Sequence, residues 1–384
     1  MIEGDGFRVL LVTRNMPPLW GGMEQLNWHM VDELSRTGLV SVVAPNGSRR
    51  AIPPIVDVSE VALRPLPRFL LAALVKTISV ALRWRPDVVL AGSGLTAPIA
   101  WLAARVSHAK CVAYVHGLDV AVASTVYRKL WIPSLRRMDA VIANSHATAQ
   151  LAQQAGVEPA RIKVVHPGVA VPDRHADEAA LLRQRVENKW VGRPLLLSVG
   201  RLTNRKGLRE FVVEVLPSIV SRSPNVLLVV VGGAPTHSLH AQVQTVESIQ
   251  AAAAKAGVAG NVQFLGVVTD RDRLAAIYQA ADVHIFPVRD IPNDPEGFGM
   301  VAIEAAAYGL PTVAYATGGI VDAVAEGVSG YLLPTGDGVG FADAVLRLLS
   351  HPLPRENIRM FAEKFDWSHF GSDMARALFG HHAL

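Results

Sequence analysis

Cysteine is nearly absent from this 384-residue chain, and its single occurrence, Cys111, excludes both a disulfide framework and a cysteine-rich metal site. The scarcity of cysteine favours a reducing compartment. Charged residues are also few, at 18% of the chain against 50% hydrophobic ones, which excludes an intrinsically disordered protein. No hydrophobic run is long enough to cross a bilayer. The longest, residues 69–82, has 14 residues and is broken by Lys76, whereas a spanning helix needs about 20.

The charge balance and the first residues of the chain narrow the compartment and the partners. Lysine and arginine exceed the acidic residues by 37 − 33, a net charge of +4, which is compatible with anionic ligands or anionic lipid. There is no aromatic-studded basic stripe and no nucleic-acid-binding motif, so we expect no nucleic-acid partner. The acidic start MIEGDG carries no basic leader with a cleavage site. We therefore expect no signal peptide and a cytoplasmic location.

The segment from Arg64 to Arg85 leaves two interpretations open, because it combines the longest apolar run with basic flanks. As a helix, it would either be largely buried in the outer layer of a sheet or rest on an anionic membrane surface. In the second case the protein would be peripheral on the inner face of the membrane.

Short apolar runs alternate with helical stretches along the whole chain. Near-continuous apolar strands joined by helical crossovers predict parallel sheets covered on both faces. The chain is too long for one ordinary core. The predicted fold class is therefore α/β, with two doubly wound, Rossmann-like domains whose strand ends face a central cleft. The expected boundaries are residues 1–172 for the first domain, 173–193 for a polar linker, 194–364 for the second domain and 365–384 for a C-terminal helix that could cross back to the first domain.

The strands and helices can be placed along each half. In the first half, six strands are predicted at residues 7–13, 40–44, 87–92, 110–116, 139–144 and 162–166, with helices near 22–37, 68–84, 96–107, 121–136 and 146–155. In the second half, six strands are predicted at residues 194–200, 226–232, 261–266, 282–287, 311–315 and 330–334.

Two glutamates, Glu296 and Glu304, form the most informative pair. Glu296 precedes a Gly-Phe-Gly corner, and Glu304 lies in an apolar stretch that predicts a helix beginning at those glycines. A carboxylate in so apolar a helix must find a hydrogen-bond donor or stay within reach of solvent. At about 1.5 Å per residue the two acids are roughly 12 Å apart, which suits the ends of a diphosphate-bridged ligand. Taken alone, the pair is equally compatible with an alternative without a ligand, in which Glu296 is a loop acid at a helix start and Glu304 forms a salt bridge.

Arg201 and Lys206 lie in SVGRLTNRKG, the first strand-to-helix turn of the second half. Ligands of parallel sheets bind at the carboxyl ends of strands, so both cations are candidates for phosphate binding. A solvated pair of loop cations is the alternative. The turn is not a P-loop, because no serine or threonine follows the lysine.

The first half offers weaker candidates. Gly22 stands before a predicted helix, where it would let a diphosphate approach, although a plain tight turn explains it as well. His116 and Asp119 follow a strand, and a lone histidine there is either functional or structural. Asn144 and Ser145 follow the next strand, and either residue can cap the following helix while contacting a ligand.

Neither a cofactor nor a metal is expected. The dinucleotide fingerprint GxGxxG is missing, and no cluster has the ligand types and spacing of a metal site. Charge on a leaving diphosphate would then have to be neutralised by arginine, lysine and helix dipoles.

Taken together, these residues resemble the retaining glycosyltransferases of family 4, which have the GT-B fold. The resemblance covers nearly the whole chain and is stronger in the second half. Its motifs, in order, are Gly21-Gly22, His116-Gly117, Pro167-Gly168-Val169, Gly200-Arg201 with Lys206-Gly207, Gly232-Gly233, Glu296 with Glu304, and Gly318-Gly319.

The resemblance implies roles for these residues. Arg201 and Lys206 would hold the donor diphosphate as it leaves, and Glu304 would bind the ribose hydroxyls. Glu296 would position the transferred sugar, and His116 would contact that sugar near its reacting carbon. The implied donor-binding set is Gly22, Arg201, Lys206, Val268 beside the base, Glu296, Gly297, Phe298, Gly299 and Glu304, and the acceptor-side candidates are Asp119, Asn144 and Ser145.

The function implied is transfer of a hexose, with retention and without metal, from a nucleotide-diphosphate sugar to a lipid-linked or membrane-proximal glycan in cell-envelope polysaccharide or glycolipid synthesis. The polar loop RDIPNDP before Glu296 departs from the family pattern, as does Ala170 where an aspartate is usual. The long loop favours GDP-mannose as donor. Two alternatives stay open: the same chemistry on a small soluble acceptor, or a sugar-nucleotide epimerase or binder of the same fold.

Overall fold

The computed structural model of the chain describes residues 6–19, 21–172, 178–234 and 243–380, except for the side chains of residues 178–180. The chain forms two compact units. The first unit comprises Met1–Gly168 and Trp367–Leu384, and the second unit comprises Val169–Asp366. Each unit contains one parallel sheet covered by helices, which confirms the predicted α/β fold class. Residues 173–177 of the expected linker, and the chain ends 1–5 and 381–384, lie outside the described residues.

The sheet of the first unit has seven parallel strands in the order β3-β2-β1-β4-β5-β6-β7. Its central strands are almost wholly buried, because helices cover both faces. Cys111 is one of the buried strand residues, at 4% exposure. The strands are β1 (Arg8–Val12), β2 (Leu39–Pro45), β3 (Asp57–Val61), β4 (Val88–Ala91), β5 (Lys110–Val115), β6 (Ala140–Ala143) and β7 (Ile162–Val164).

The helices of the first unit follow the prediction except between residues 118 and 135. There, three short helices replace the single helix expected at 121–136, because Ser124 caps a new helix and Pro133 lies at the start of another. The helices are α1 (Gly22–Ser35), α2 (Leu66–Trp84), α3 (Ala97–Ser107), α4 (Leu118–Ala121), α5 (Thr125–Leu130), α6 (Ile132–Leu135) and α7 (His146–Gln154).

The second unit has a helix, α8 (Glu178–Glu187), inside the segment expected to be a linker. It packs against a later helix of the same unit. The six-stranded parallel sheet runs in the order β10-β9-β8-β11-β12-β13, and all six strands were predicted. They are β8 (Leu195–Val199), β9 (Leu227–Val231), β10 (Val262–Gly266), β11 (Val283–Phe286), β12 (Thr312–Tyr315) and β13 (Gly330–Leu333).

Eight further helices of the second unit surround this sheet among the described residues, and two of them, α12 and α13, carry residues of the candidate site. The eight are α9 (Leu208–Glu214), α10 (Leu216–Arg222), α11 (Val246–Lys255), α12 (Arg271–Ala280), α13 (Met300–Ala307), α14 (Ile320–Ala323), α15 (Gly338–Ser350) and α16 (Arg355–Glu363).

The last helix, α17 (Trp367–Phe379), belongs to the first unit, where it packs along α1. Its first ring, Trp367, stacks on His29 with centroids 3.7 Å apart, and its last, Phe379, stacks on Phe7 at 4.2 Å. Lys110 Nζ donates to the Leu378 carbonyl at 2.6 Å, and Lys163 Nζ donates to the Ala377 carbonyl at 2.8 Å. These two ammonium groups satisfy carbonyls that a helix C-terminus leaves unpaired.

Within the described ranges, no helix is long and apolar enough to cross a membrane.

Candidate active site

The turn after β8 carries a short 3₁₀ segment, Asn204–Lys206, that ends at Gly207. Gly207 has φ +68°, and a Cβ there would overlap the carbonyl oxygen of Pro287, just after β11. Only glycine allows this approach without strain. The backbone N–H of Arg289 also donates to the Arg205 carbonyl at 2.8 Å. The basic turn is therefore fixed against the carboxyl end of β11.

Lys206 projects from this turn onto a carboxylate and an aromatic ring. Its Nζ atom lies 2.8 Å from Glu296 Oε2 and 4.7 Å from the ring centroid of Phe286. The Lys206 side chain is only 16% exposed. Burial lowers the pKa of Lys206, and the positive charges of Arg205 and Arg201 lower it further, while Glu296 opposes them.

Glu296 is bound by two cations, and the sequence prediction had named only one of them. Arg205 donates to Glu296 Oε2 as well as Lys206, and Arg205 Nε lies 3.2 Å from Asp294 Oδ1. Burial by itself would raise the pKa of Glu296, but the charges of Arg205 and Lys206 outweigh it and lower the pKa to about 2. Glu296 is therefore an anion throughout the physiological pH range.

Arg201, predicted to act with Lys206, lies in the same turn and is exposed. Its guanidinium makes no ion pair or hydrogen bond with the residues that the structure describes, so its donors are available to a ligand. Three cations of the turn face two carboxylates, those of Asp294 and Glu296, which leaves 3 − 2 = +1. An anionic ligand would complete the charge balance.

A second glycine turn holds the backbone of Glu296. Gly319 N–H donates to the Glu296 carbonyl at 2.9 Å, and a Cβ at Gly319 would overlap the carbonyl oxygen of Gly297. The predicted Gly-Phe-Gly corner follows. Phe298 is 2% exposed in the core below, and Gly299 precedes α13. The corner thus combines a buried anchor with backbone groups at the helix N-terminus.

Glu304 lies in the middle of α13 and is partly exposed. The hydrogen-bond donor expected for a carboxylate in this apolar helix is Tyr278, whose hydroxyl donates to Glu304 Oε2 at 3.2 Å. No ion pair of Glu304 occurs among the described residues, so the salt-bridge alternative is wrong for Glu304, whereas Glu296 is the salt-bridged member of the pair. Burial raises the pKa of Glu304, while the Tyr278 hydrogen bond and the charge of Lys206 lower it.

Val268, a predicted donor-site residue, and His284 are two further side chains of the second unit. Val268, after β10, packs partly against the hydrophobic cluster of β8 and β9, while its neighbour Val267 is 70% exposed. His284 is fully buried on β11, with Nδ1 3.0 Å from Thr312 Oγ1. Burial lowers the pKa of His284 to about 3, helped by Lys206, so this histidine adds no charge to the site.

In the first unit, Gly22 is the first residue of α1, as predicted. A buried network that the sequence prediction missed lies beside it. Asn15 Nδ2 donates to Glu24 Oε1 at 2.8 Å, and Asn27 Nδ2 donates to the Asn15 carbonyl at 2.9 Å and to Thr13 Oγ1 at 3.1 Å. The network ties the turn after β1 to the first turns of α1.

His116 and Asp119 follow β5 and have different tasks. The His116 side chain is buried, and its Nε2 lies 2.9 Å from the Gly92 carbonyl, to which it must donate. In the neutral ring, Nδ1 is then the acceptor. Asp119 accepts from the backbone N–H groups of His116 and Gly94, both at 2.8 Å. Asp119 therefore supports the loops around His116.

Asn144 and Ser145 follow β6 and also differ. Ser145 is the N-cap of α7, and its hydroxyl accepts from Thr148 N–H at 3.0 Å, which is the structural alternative that the sequence left open. Asn144 Nδ2 reaches the His116 carbonyl at 3.5 Å. Its buried Oδ1 has no hydrogen-bond partner within the described part of the chain. Since buried polar atoms are rarely unpaired, Asn144 Oδ1 is the stronger ligand candidate.

Solved structures define the class of fold. The Anabaena protein HepE in complex with UDP superposes with a TM-score of 0.80 at 20% identity, over 97% of this chain and 99% of that one. Sucrose-phosphate synthase from Thermosynechococcus elongatus gives a TM-score of 0.76 at 21% identity, over 96% and 98%. The architecture is that of the GT-B glycosyltransferases.

Sequence comparison gives the family. The model for glycosyltransferase family 4 matches residues 20–171, and the model for glycosyl transferases group 1 matches residues 182–365. A GDP-mannose-dependent alpha-(1-6)-phosphatidylinositol monomannoside mannosyltransferase of Mycobacterium tuberculosis is 31% identical over 359 residues, 89% of each chain. A D-inositol 3-phosphate glycosyltransferase of Acidothermus cellulolyticus is 36% identical over 60% of this chain and 50% of its own length. This chain belongs to glycosyltransferase family 4, which confirms the predicted resemblance.

Proposed function

We propose that the chain is a retaining glycosyltransferase that moves a hexose, mannose from GDP-mannose in the first instance, to a lipid-linked or membrane-proximal glycan acceptor in cell-envelope polysaccharide or glycolipid synthesis. One observation carries the proposal. The carboxylate of Glu296 is bound by Lys206 and Arg205 beside the unpaired guanidinium of Arg201. A group suited to sugar hydroxyls and groups suited to a diphosphate therefore share one site.

The cations take the part that a metal plays in other transferases. Arg201 and Lys206 would donate to the diphosphate oxygens as the bond from the anomeric carbon to the phosphate oxygen breaks. Fixed donors aimed at developing charge lower the barrier strongly in a partly buried site. We therefore propose that neither a metal nor a cofactor is required. The acceptor oxygen would attack on the face that the phosphate leaves, and its proton would pass to the departing phosphate.

The state of Glu296 supports a role in orientation rather than in proton transfer. A carboxylate whose pKa is about 2 is a poor general base near neutral pH. Glu296, with the backbone at Gly297, Phe298 and Gly299, would instead accept from hydroxyls of the transferred sugar. Glu304 would accept from the ribose hydroxyls, and Val268 would contact the base.

In the first unit, the proposal assigns ligand contact to Gly22, His116 and Asn144. His116 would meet the sugar through Nδ1, since Nε2 is engaged by the Gly92 carbonyl. Asp119 and Ser145 would act on the acceptor side indirectly, by holding the loops that carry these groups.

A small soluble acceptor is the second candidate, and one observation favours it. The family 4 relative from Acidothermus cellulolyticus, 36% identical, is named for D-inositol 3-phosphate. The relative that matches over most of both chains is instead named for a phosphatidylinositol monomannoside, and for this reason we prefer the glycolipid.

The outer face of α2 supports a location on the inner face of the cytoplasmic membrane. Leu71, Val75 and Leu82 are 64%, 61% and 53% exposed and fall on one helical stripe, and Arg68 lies one turn before it. The opposite face, with Phe69 and Ala73, is buried. The buried face agrees with the interpretation of this segment as part of the outer layer of the sheet, and the exposed face is the one that we propose for membrane contact. An exposed apolar stripe with basic flanks suits anionic lipid.

Donor and acceptor can be tested on the purified chain. We expect GDP-mannose to raise the melting temperature more than UDP- or ADP-sugars do, and mannose to be transferred to phosphatidylinositol monomannoside in vesicles. The product should keep the anomeric configuration of the donor, and added EDTA should not stop the reaction. If none of the sugar nucleotides raises the melting temperature and none serves as a donor for transfer, the proposal is overturned. Transfer to inositol phosphate alone would select the second candidate, and release of an epimerised sugar without acceptor would select an epimerase.

A further inference from the structure

The hydrogen bond between Tyr278 and Glu304 joins two helices, α12 and α13, across 26 residues of sequence. Tyr278 is 1% exposed, and its ring stacks on Tyr308 with centroids 5.4 Å apart and planes at 12°. The phenol therefore has little freedom to point elsewhere. Its hydroxyl occupies one side of Glu304 Oε2, at 3.2 Å.

The other carboxylate oxygen of Glu304 is differently placed. Glu304 is partly exposed, and Oε1 has no hydrogen-bond partner in the described ranges. A carboxylate with one oxygen fixed from below and the other open accepts two neighbouring hydroxyl groups well, because both lone-pair directions are set in advance.

We propose that Tyr278 is a positioning residue, whose hydroxyl fixes the Glu304 carboxylate in the orientation that accepts both ribose hydroxyls of the donor nucleotide. The inference rests on the proposed function, since it presupposes that Glu304 meets a ribose. Tyr278 itself touches no substrate in this scheme and acts only through Glu304.

The groups around Glu304 also make the proposed role of Tyr278 measurable through the pH dependence of nucleotide binding. Three groups face this carboxylate: the Tyr278 hydroxyl, the Lys206 ammonium and the neutral phenol of Tyr308. Burial raises the pKa of Glu304, and the Tyr278 hydrogen bond opposes that rise. Removing the hydroxyl should raise the pKa further, so that less of the ionised acceptor remains as the pH falls.

The test compares the binding of a nucleotide that has both ribose hydroxyls with the binding of one that has neither. Calorimetry would measure the Kd of GDP and of 2′,3′-dideoxy-GDP for the wild type, Tyr278→Phe and Tyr308→Phe. The control, Tyr308→Phe, removes the hydroxyl of the stacking partner, and that hydroxyl forms no hydrogen bond in the described part of the chain. We expect Tyr278→Phe to raise the Kd of GDP by about tenfold, which is the usual effect of losing one hydrogen bond to a charged group. The Kd of 2′,3′-dideoxy-GDP should stay unchanged. The loss should grow as the pH is lowered, because the pKa of Glu304 is raised further in Tyr278→Phe, while Tyr308→Phe should bind both nucleotides normally.

A double-mutant cycle guards against a purely structural effect. In a Glu304→Ala background, Tyr278→Phe should have no further influence on GDP binding. Equal weakening of both nucleotides, no weakening of either, or a full additional loss in the Glu304→Ala background would each overturn the role of Tyr278. If the wild type binds neither GDP nor UDP, the proposed function itself fails, and that outcome is distinct from the others.

Discussion

The Nζ atom of Lys206 lies 2.8 Å from Oε2 of Glu296, so the cation proposed for the donor phosphate is already paired with the carboxylate proposed for the donor sugar. Arg205 contacts the same carboxylate oxygen. An incoming diphosphate would have to share Lys206 with Glu296, and Arg205 would keep Glu296 from becoming a buried, unpaired charge during this exchange.

The ionised Glu296 should make the free energy of unfolding depend on pH. Its pKa is about 2 in the folded chain against an ordinary value of 4.5. A depressed folded pKa stabilises the native state fully above the unfolded value, and this contribution is lost as the pH falls from about 4.5 towards 2. The shift corresponds to roughly 3 kcal/mol. The Glu296→Gln variant should therefore differ most from the wild type in urea unfolding at pH 6, and the gap should narrow by pH 3. A constant gap would contradict the ion-pair assignment.

Substitutions of Arg201 and Lys206 should differ in their effect on stability, although both residues are proposed to bind the diphosphate. Arg201 has no partner in the described chain, so Arg201→Ala should reduce transfer about 10²-fold and change the free energy of unfolding by less than about 0.5 kcal/mol. Lys206 is paired and partly buried, so Lys206→Ala should reduce both transfer and stability, the latter by about 1–3 kcal/mol.

Arg209→Ala is the matched control for both variants, because Arg209 is an exposed arginine on α9 outside the site. Steady-state kinetics with GDP-mannose and urea denaturation would measure the two effects. A loss of stability in Arg201→Ala as large as in Lys206→Ala would contradict the difference in pairing.

The stripe on α2 should control association with lipid. Replacing Leu71 and Val75 together by asparagine removes exposed apolar area while sparing the buried face. We expect less protein to sediment with vesicles containing phosphatidylglycerol, and unchanged turnover of a short-chain soluble acceptor. Leu182 and Val339, 56% and 72% exposed in the second unit, provide the control pair of asparagine substitutions. Equal sedimentation of all three proteins would exclude α2 as the membrane contact.

Lys110 and Lys163 should anchor α17. Each ammonium donates to a carbonyl in the last turn of that helix. Changing either lysine to methionine should lower the free energy of unfolding by about 1–2 kcal/mol, since a buried carbonyl loses its charged donor. Lys129→Met, at an exposed position of the same unit, should be neutral. Chemical denaturation followed by tryptophan fluorescence would measure the difference, and neutrality of all three variants would refute the anchoring role.

The sequence predicted the architecture because buried parallel strands are apolar throughout. Of the thirteen strands in the described residues, twelve are mostly apolar and were predicted, while β3, with the sequence DVSEV, was not. It lies at the edge of its sheet, and only two of its five residues, Val58 and Val61, are apolar, so the strand carries little hydrophobic signal. The helix expected at 121–136 failed for a local reason, the cap at Ser124.

Site residues were predictable where a motif marks them and not where a contact is made across the fold. Glu296 and Lys206 were both predicted as donor-site residues from their motifs, whereas their direct contact at 2.8 Å was not predicted. Arg205 stands beside Lys206 in the sequence, and only the 3₁₀ turn decides that both side chains reach Glu296. Tyr278 belongs to a helix whose pattern predicts a buried face, and no local signal shows that its hydroxyl ends at Glu304.

The return of α17 to the first unit has a consequence for the order in which the chain is made. The aromatic partners of Phe7 and His29, Phe379 and Trp367, leave the ribosome only after the entire second unit has been synthesised. The unit that is begun first is thus completed last. Until then α1 lacks the helix that packs along it, and a chain that ends before residue 367 would leave the first unit without α17.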